Sequence, residues 1–192
     1  MPRLIHLNGP SGIGKSTVAK LYAAGHPGVL DLDADHVLGL IGGWQDDFWN
    51  ALGSARRLAV AMAETHLASG HDVVMPQLAT RPAEIERFEA ACALVGSEYV
   101  EIVLLADRRT ASARHGARGG TQDSSGDEHG ASVRRNMDEV IRRSGGAALI
   151  DTIYDDVLAH VARRPLCTVV RTDGLGAAAT LDAVENVLRP TR

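Results

Sequence analysis

Short apolar runs alternate along this chain with longer stretches of helical period. Leu4 to Leu7 predicts a first strand, and Ser16 to Ala24 a helix. Val29 to Leu32 predicts a second strand, followed by helical stretches from Asp35 to Ile41 and from about Asn50 to Ser69. The second of these carries Leu52, Ala55, Leu58, Ala59, Met62 and Leu67 at helical spacing. Asp72 to Pro76 predicts a third strand, introduced by Ser69-Gly70, and Arg81 to Val95 a helix that Pro82 opens in its first turn. A fourth strand is expected from Tyr99 to Leu105 and a helix from Arg109 to Gly116. Residues 116–131, GARGGTQDSSGDEHGA, have no apolar period and predict a mobile loop. Helices at about 132–144 and 147–164, a strand from Leu166 to Arg171 and a helix from Ala178 to Leu188 complete the pattern. There is no internal repeat. Strands separated by helices imply an α/β fold: a five-stranded parallel sheet flanked by helices on both faces. Ligands of such sheets bind beyond the carboxyl ends of the strands.

Composition narrows this picture. A chain of 192 residues, 45% hydrophobic and 23% charged, fits one domain spanning 1–192 that builds its core without metals or disulfides. The formal net charge of −4 argues against nucleic acid as a partner, and 4% aromatics argue against a stacking platform for single strands. No apolar run is long enough for a membrane span, and MPRLIHLNGP lacks a signal-peptide core, so the cytoplasm is the expected compartment. Cys92 and Cys167 fall in separate apolar patterns and are expected to be reduced core residues. Monomer and homodimer remain equally open.

The strongest chemical signal lies between the first strand and the first helix. Gly9-Pro10-Ser11-Gly12-Ile13-Gly14-Lys15-Ser16-Thr17 fits GxxxxGK[ST] in full. The glycines let successive N–H groups point at one centre, and the helix N-terminus adds its positive end. Lys15 is expected to reach the β- and γ-phosphates, and the Ser16 hydroxyl to ligate Mg²⁺. Thr17 either touches the α-phosphate or packs in the first helix turn. Such a loop indicates a nucleoside triphosphate (ATP, with GTP possible), without saying where the γ-phosphate goes.

The second strand ends in VLDLDADHV, with Asp31, Asp33 and Asp35 at period two and so on one strand face. Three carboxylates together are tolerable only at an exposed strand end or beside a cation. Asp35 also sits where a helix cap is expected. The third strand ends Met75-Pro76-Gln77, with no carboxylate for a hydrolysing motor, and Asp72 stands at the wrong end. Gln77 either contacts substrate or Mg²⁺-bound water, or is simply a polar residue leaving a strand.

These residues carry a resemblance. The first half is similar to the small P-loop kinases that phosphorylate metabolites or antibiotics: shikimate and gluconate kinases and chloramphenicol phosphotransferase. DVVMPQ and the RxxxR spacing of Arg114 and Arg118 resemble the tunicamycin-resistance group of ATP-binding proteins. The resemblance implies that Asp33 holds Mg²⁺ through water and that Asp35 accepts the proton of the substrate hydroxyl. The Gly-rich turn that follows the third strand in shikimate kinases is missing. It also implies an arginine-bearing lid after the fourth strand, where Arg114 and Arg118 match, with 116–131 as the lid loop. Chance clustering is the alternative, since eighteen of the twenty basic residues are arginines.

Segment 36–70 is expected to hold the acceptor. It concentrates both tryptophans in Gly42-Gly43-Trp44-Gln45-Asp46-Asp47-Phe48-Trp49. Trp44 and Asp46 are candidate substrate contacts; alternatively Trp44, Phe48 and Trp49 anchor the core and the aspartates cap a helix. Arg81 either binds an anionic substrate group or starts its helix. Thr172-Asp173-Gly174 ends the fifth strand where related kinases border adenine, which makes Asp173 a nucleotide-binding candidate. The expected function is an ATP- and Mg²⁺-dependent kinase acting on a small-molecule hydroxyl, first of all an antibiotic or similar natural product. A nucleoside or sugar-metabolite kinase and a slowly hydrolysing nucleotide-binding regulator are the alternatives.

Overall fold

In a computed structural model, which describes residues 1–117 and 128–189, the apolar runs form one parallel five-stranded sheet. Its strands are β1 (Arg3–Asn8), β2 (Leu30–Asp31), β3 (Val73–Pro76), β4 (Glu98–Leu105) and β5 (Thr168–Arg171), in the order β2-β3-β1-β4-β5. The helices are α1 (Lys15–Gly25), α2 (Ala34–Gly39), α3 (Phe48–Ala68), α4 (Pro82–Leu94), α5 (Arg108–Ala117), α6 (Glu128–Arg143), α7 (Ala147–Arg163) and α8 (Ala177–Leu188). β1 is central, with Leu4 level with Val73 of β3 and Tyr99 of β4.

Strand alternation divides the core. Leu4, Val73 and Met75 pack with Leu38 of α2, Ala55, Ala59 and Ala63 of α3, and Ile85 and Phe88 of α4. The alanine stripe lets α3 lie close against the strands. Ile5, Leu7, Val74, Ile102 and Leu104 face the other way, onto Val18, Ala19 and Tyr22 of α1 and Val184 of α8. Val103 and Leu105 meet Tyr154 and Val157 of α7. The two cysteines are free: Cys92 is buried in α4 and Cys167 lies half-buried before β5. Among the described residues, no helix is long and apolar enough to cross a membrane.

Two local expectations change. The expected strand from Val29 to Leu32 shortens to Leu30–Asp31. Asp33 Oδ1 accepts the backbone N–H of Asp35 at 3.0 Å and so caps α2, a local bond that competes with the strand ladder. Asp31, Asp33 and Asp35 therefore do not share a strand face: they occupy a strand, a cap and a first helical turn. The expected loop 116–131 also contracts, because residues 116–117 end α5 and 128–131 open α6. The remainder of that loop, with Arg118, lies outside the described residues.

Candidate active site

β1 leads directly into the Gly-rich loop, which turns through Gly9, Gly12 and Gly14 at φ 133°, 84° and 103°. These are left-handed conformations that side chains disfavour. A Cβ on Gly9 would lie 2.3 Å from the Leu104 carbonyl oxygen, and one on Gly12 would lie 2.8 Å from the His115 nitrogen. Those two glycines let the loop press against β4 and α5. A Cβ on Gly14 would meet nothing within 4 Å, so the loop is open on that side at the start of α1. Ile13 is buried among Ile5 and Val18 and anchors the loop from below. The Ser11 hydroxyl lies 3.2 Å from His115 Nδ1, tying α5 over the loop. Thr17 is exposed in the first turn of α1.

Lys15 crosses the loop, its Nζ donating to the carbonyls of Gly9 at 2.8 Å and Pro10 at 2.9 Å. Ser16 Oγ donates to Asp33 Oδ2 at 2.9 Å. This bond joins the Gly-rich loop to the β2–α2 connection. Asp33 is 7% exposed. Asp31 Oδ1 is buried without a hydrogen-bond partner, and burial, then the neighbouring Asp33, pushes its carboxyl up to about 6. Asp35 sits half-buried in the first turn of α2 and is not its cap, so capping does not explain it.

A buried polar layer beneath the site has no counterpart in the motif. Asn8 Oδ1 accepts the N–H groups of Gly9 at 2.8 Å and Ala79 at 3.1 Å, while its Nδ2 donates to Ala79 O at 2.6 Å and Glu101 Oε1 at 2.9 Å. Glu101 also lies 2.6 Å from His160 Nε2 and 3.3 Å from Arg164 Nε. Burial acts to raise its carboxyl, but the bond from Asn8 and the nearby His6 and His160 outweigh it and hold the pKa below the usual range. His6 lies 2.8 Å from both the Tyr99 hydroxyl and the Gln77 carbonyl. Complete burial pushes its ring down to about 4, against the pull of Glu101. The ring is therefore neutral at pH 7, donating from Nε2 to Gln77 O and accepting at Nδ1 from the Tyr99 O–H.

The linkage gives a sign. The unfolded state binds the His6 proton more tightly between pH 6.5 and 4, so this contribution to stability is present above pH 6.5 and is lost on acidification through that window. Below pH 4 the loss is complete and amounts to about 3 kcal/mol. Asp31, with its raised value, works in the opposite sense. Urea unfolding of wild type and His6→Gln between pH 4 and 7 checks this: the stability gap should narrow, or reverse, as pH falls.

The sequence reading missed His6, Asn8, Glu101 and His160. The signal was available for three of them, since polar residues interrupt the apolar runs LIHLN and YVEIVLL. It also missed His115, whose importance depends on where α5 crosses.

The remaining predicted positions separate. Gln77, just past β3, is 6% exposed, and neither atom of its side-chain amide has a hydrogen-bond partner. Trp44 is 5% exposed, packs in the core with Phe48, and lines a cavity of about 300 Å³ with Leu40, Ile41 and Val133. Trp49, by contrast, is 63% exposed and anchors no core. Asp46 is exposed and is not among the residues lining that cavity. Arg81 is exposed and pairs with Glu84 at 2.8 Å, the carboxylate that also takes Arg56. Arg114 donates to Thr172 Oγ1 at 3.1 Å, Thr172 O at 2.9 Å and Leu175 O at 3.3 Å. It thus clamps the turn after β5 to α5. In the same turn, Asp173 accepts the Asp107 N–H at 2.7 Å and pairs with Arg171.

Comparison with known proteins agrees with this fold. A family model described as an AAA domain matches residues 4–142. Among solved structures, the chain is similar to the tunicamycin resistance protein of Deinococcus radiodurans, at 17% identity and a TM-score of 0.59, covering 99% of this chain and 96% of that one. It is also similar to a "putative kinase" of Chloroflexus aurantiacus, at 18% identity and a TM-score of 0.66, covering 97% and 96%. At these identities the similarity concerns the fold. A gluconokinase of Sinorhizobium meliloti matches at 19% identity over 84% and 93% with a TM-score of 0.43, too low to bear on the fold. No curated protein matches the sequence.

Proposed function

The chain belongs to this AAA-domain family of P-loop kinase-like proteins, and from that premise we propose that it transfers the γ-phosphate of ATP to a hydroxyl of a small molecule. The Ser16–Asp33 hydrogen bond carries the reading, because it sets the Asp33-Ala34-Asp35 carboxylates beside the phosphate loop. A hydrolysing motor would instead need a carboxylate at the end of β3, where this chain has Gln77.

The backbone N–H groups of Ser11, Gly12, Ile13 and Gly14, with that of Thr17, cradle the phosphates, while Gly9 supplies the turn that lets the loop curl. Lys15 leaves its two carbonyl partners for the β- and γ-phosphates. The acceptor hydroxyl attacks the γ-phosphorus in line, the bond to the β-γ bridging oxygen breaks, and ADP leaves. The hydroxyl proton passes to the Asp35 carboxylate. In this reading Arg118 takes the charge-stabilising role, and Arg114, whose guanidinium is bonded to Thr172 and Leu175, holds the turn containing Asp173 beside the nucleotide base. Trp44, Asp46, Gln77 and Arg81 are the acceptor candidates.

The oxygen donors fit magnesium: a serine hydroxyl bonded to one buried carboxylate, with a second carboxylate oxygen unpartnered nearby. Among the described residues no group of three His, Cys, Asp or Glu side chains forms a metal cage, which suits an ion that takes most of its ligands from phosphate and water. Bound at Ser16 and Asp33, Mg²⁺ would neutralise charge on the β- and γ-phosphates.

An antibiotic-like natural product is the acceptor to test first. ATP consumption across a panel of hydroxylated antibiotics, nucleosides and sugars, with mass spectrometry for the phosphate adduct, decides the reading. A phosphorylated antibiotic is the expected result. Phosphorylation of nucleosides or sugars alone would move the protein to metabolite kinases. ADP formation independent of any acceptor would make it a slow ATPase.

A further inference from the structure

Gln77 is held in place on every side except its functional group. Its N–H donates to Leu7 O at 3.2 Å, continuing the β1–β3 ladder one residue past the strand. Its carbonyl takes the His6 Nε2 bond at 2.8 Å, and two residues on, Asn8 bonds both backbone groups of Ala79. Two buried β1 side chains thus fasten segment 77–79. Yet the Gln77 carboxamide, at 6% exposure, has neither donor nor acceptor satisfied. Buried amides without partners are costly and uncommon in folded proteins, so this one calls for a ligand.

Period two places Gln77 on the sheet face of Val73 and Met75. That face is covered by α2, Trp44 and α3, the segment expected to hold the acceptor, together with α4, and not by α1. We propose that the Gln77 carboxamide reads an amide, lactam or imide on the acceptor, making a hydroxylated compound with such a group the substrate class. This rests on the kinase reading above. A carboxamide presents one acceptor and one donor side by side, and an amide or imide edge satisfies both at once. A pair of sugar hydroxyls would also reach both atoms, but each hydroxyl carries further bonding capacity, left unsatisfied on the apolar face of Val73 and Met75. His6, Tyr99 and Asn8 act as positioning residues, since they hold the backbone that aims the amide.

Two matched pairs test it: N-acetylglucosamine against glucose, and uridine against methyl riboside. Phosphoester formation with ATP and Mg²⁺ is followed by mass spectrometry for wild type and Gln77→Met. Wild type is expected to favour the amide or imide member of at least one pair at least tenfold in kcat/KM, since a site built around a polar contact rejects analogues that lack it. In Gln77→Met that ratio should fall to within about threefold of one, because the thioether offers no donor, while the melting temperature stays level or rises. Gln77→Glu, which keeps the size but loses the donor, should lose the preference as well. Transfer without preference in wild type, a preference retained in Gln77→Met, or a lowered melting temperature that reveals an internal partner would each overturn the inference while leaving the kinase reading standing. ATP bound with no member of either pair phosphorylated would overturn this inference, whereas the kinase reading falls only if the wider acceptor panel above also yields no phosphate adduct.

Discussion

Lys15→Ala is expected to weaken ATP binding by at least about 100-fold and to abolish measurable transfer. The ammonium is the one compact cation in the Gly-rich loop, and it lies between the carbonyls of Gly9 and Pro10. Exchanging those neutral acceptors for phosphate oxygens creates charge-assisted bonds, each worth about 1.5–3 kcal/mol. Losing two of them matches a 100-fold or larger drop in affinity. The folded state should change little, because Lys15 is only half-buried and its partners are loop carbonyls. Isothermal titration with ATP and Mg²⁺, paired with a melting curve, checks both halves. Unchanged nucleotide affinity would remove the phosphate-loop assignment. Lys15→Arg should rescue poorly, since the planar fork does not match a place shaped for a point charge.

Asp35→Asn should separate binding from chemistry. The substitution keeps size and hydrogen-bonding reach but removes the base, so transfer should fall by about 10² to 10⁴-fold. ATP affinity should stay close to wild type, because Ser16 bonds to Asp33 and not to Asp35. Stability should drop by no more than about 1 kcal/mol, the value of an acidic side chain in a first helical turn. Asp33→Asn is the instructive contrast. It alters the Ser16 partner and the cap of α2 together, so it should reduce both stability and nucleotide affinity. Steady-state kinetics and unfolding curves for the pair distinguish the two carboxylates. Full transfer by Asp35→Asn would end its role as the base.

The difference between these two aspartates was not legible in the sequence. Period two along Asp31, Asp33 and Asp35 suggested one acidic strand face, and Asp35 was the residue expected as a cap. Both readings depend on where β2 stops. That point was decided by the Asp33 carboxylate, which bonds the Asp35 N–H more locally than any ladder partner could. The tryptophans divide for a similar reason. Trp44 and Phe48 reach the cluster under α2 and α3, while Trp49, one residue further around the first turn of α3, faces outward. Helical phase depends on the starting residue, and that start is set by packing.

Arg114 shows how far position alone carries. Its place in the chain marked it as a candidate for the phosphates. Its guanidinium lies on Thr172 and Leu175, fifty-eight or more residues away, because α5 packs beside the end of β5. Chain position gave no access to that contact.

By itself, then, the sequence determined the alternation of strands and helices, the parallel sheet and the phosphate loop. These rest on local rules: period two or 3.6, and glycines and a lysine at set offsets within nine residues. The tertiary structure alone decided what surrounds that loop. The bond from Ser16 to Asp33, the fastening of Gln77 by His6 and of Ala79 by Asn8, and the burial of Glu101 with His160 join residues from 17 to 71 positions apart. The physical reason is that a buried polar group takes whatever partner the packed elements bring within about 3 Å, and that choice is made by the whole fold rather than by neighbours in the chain.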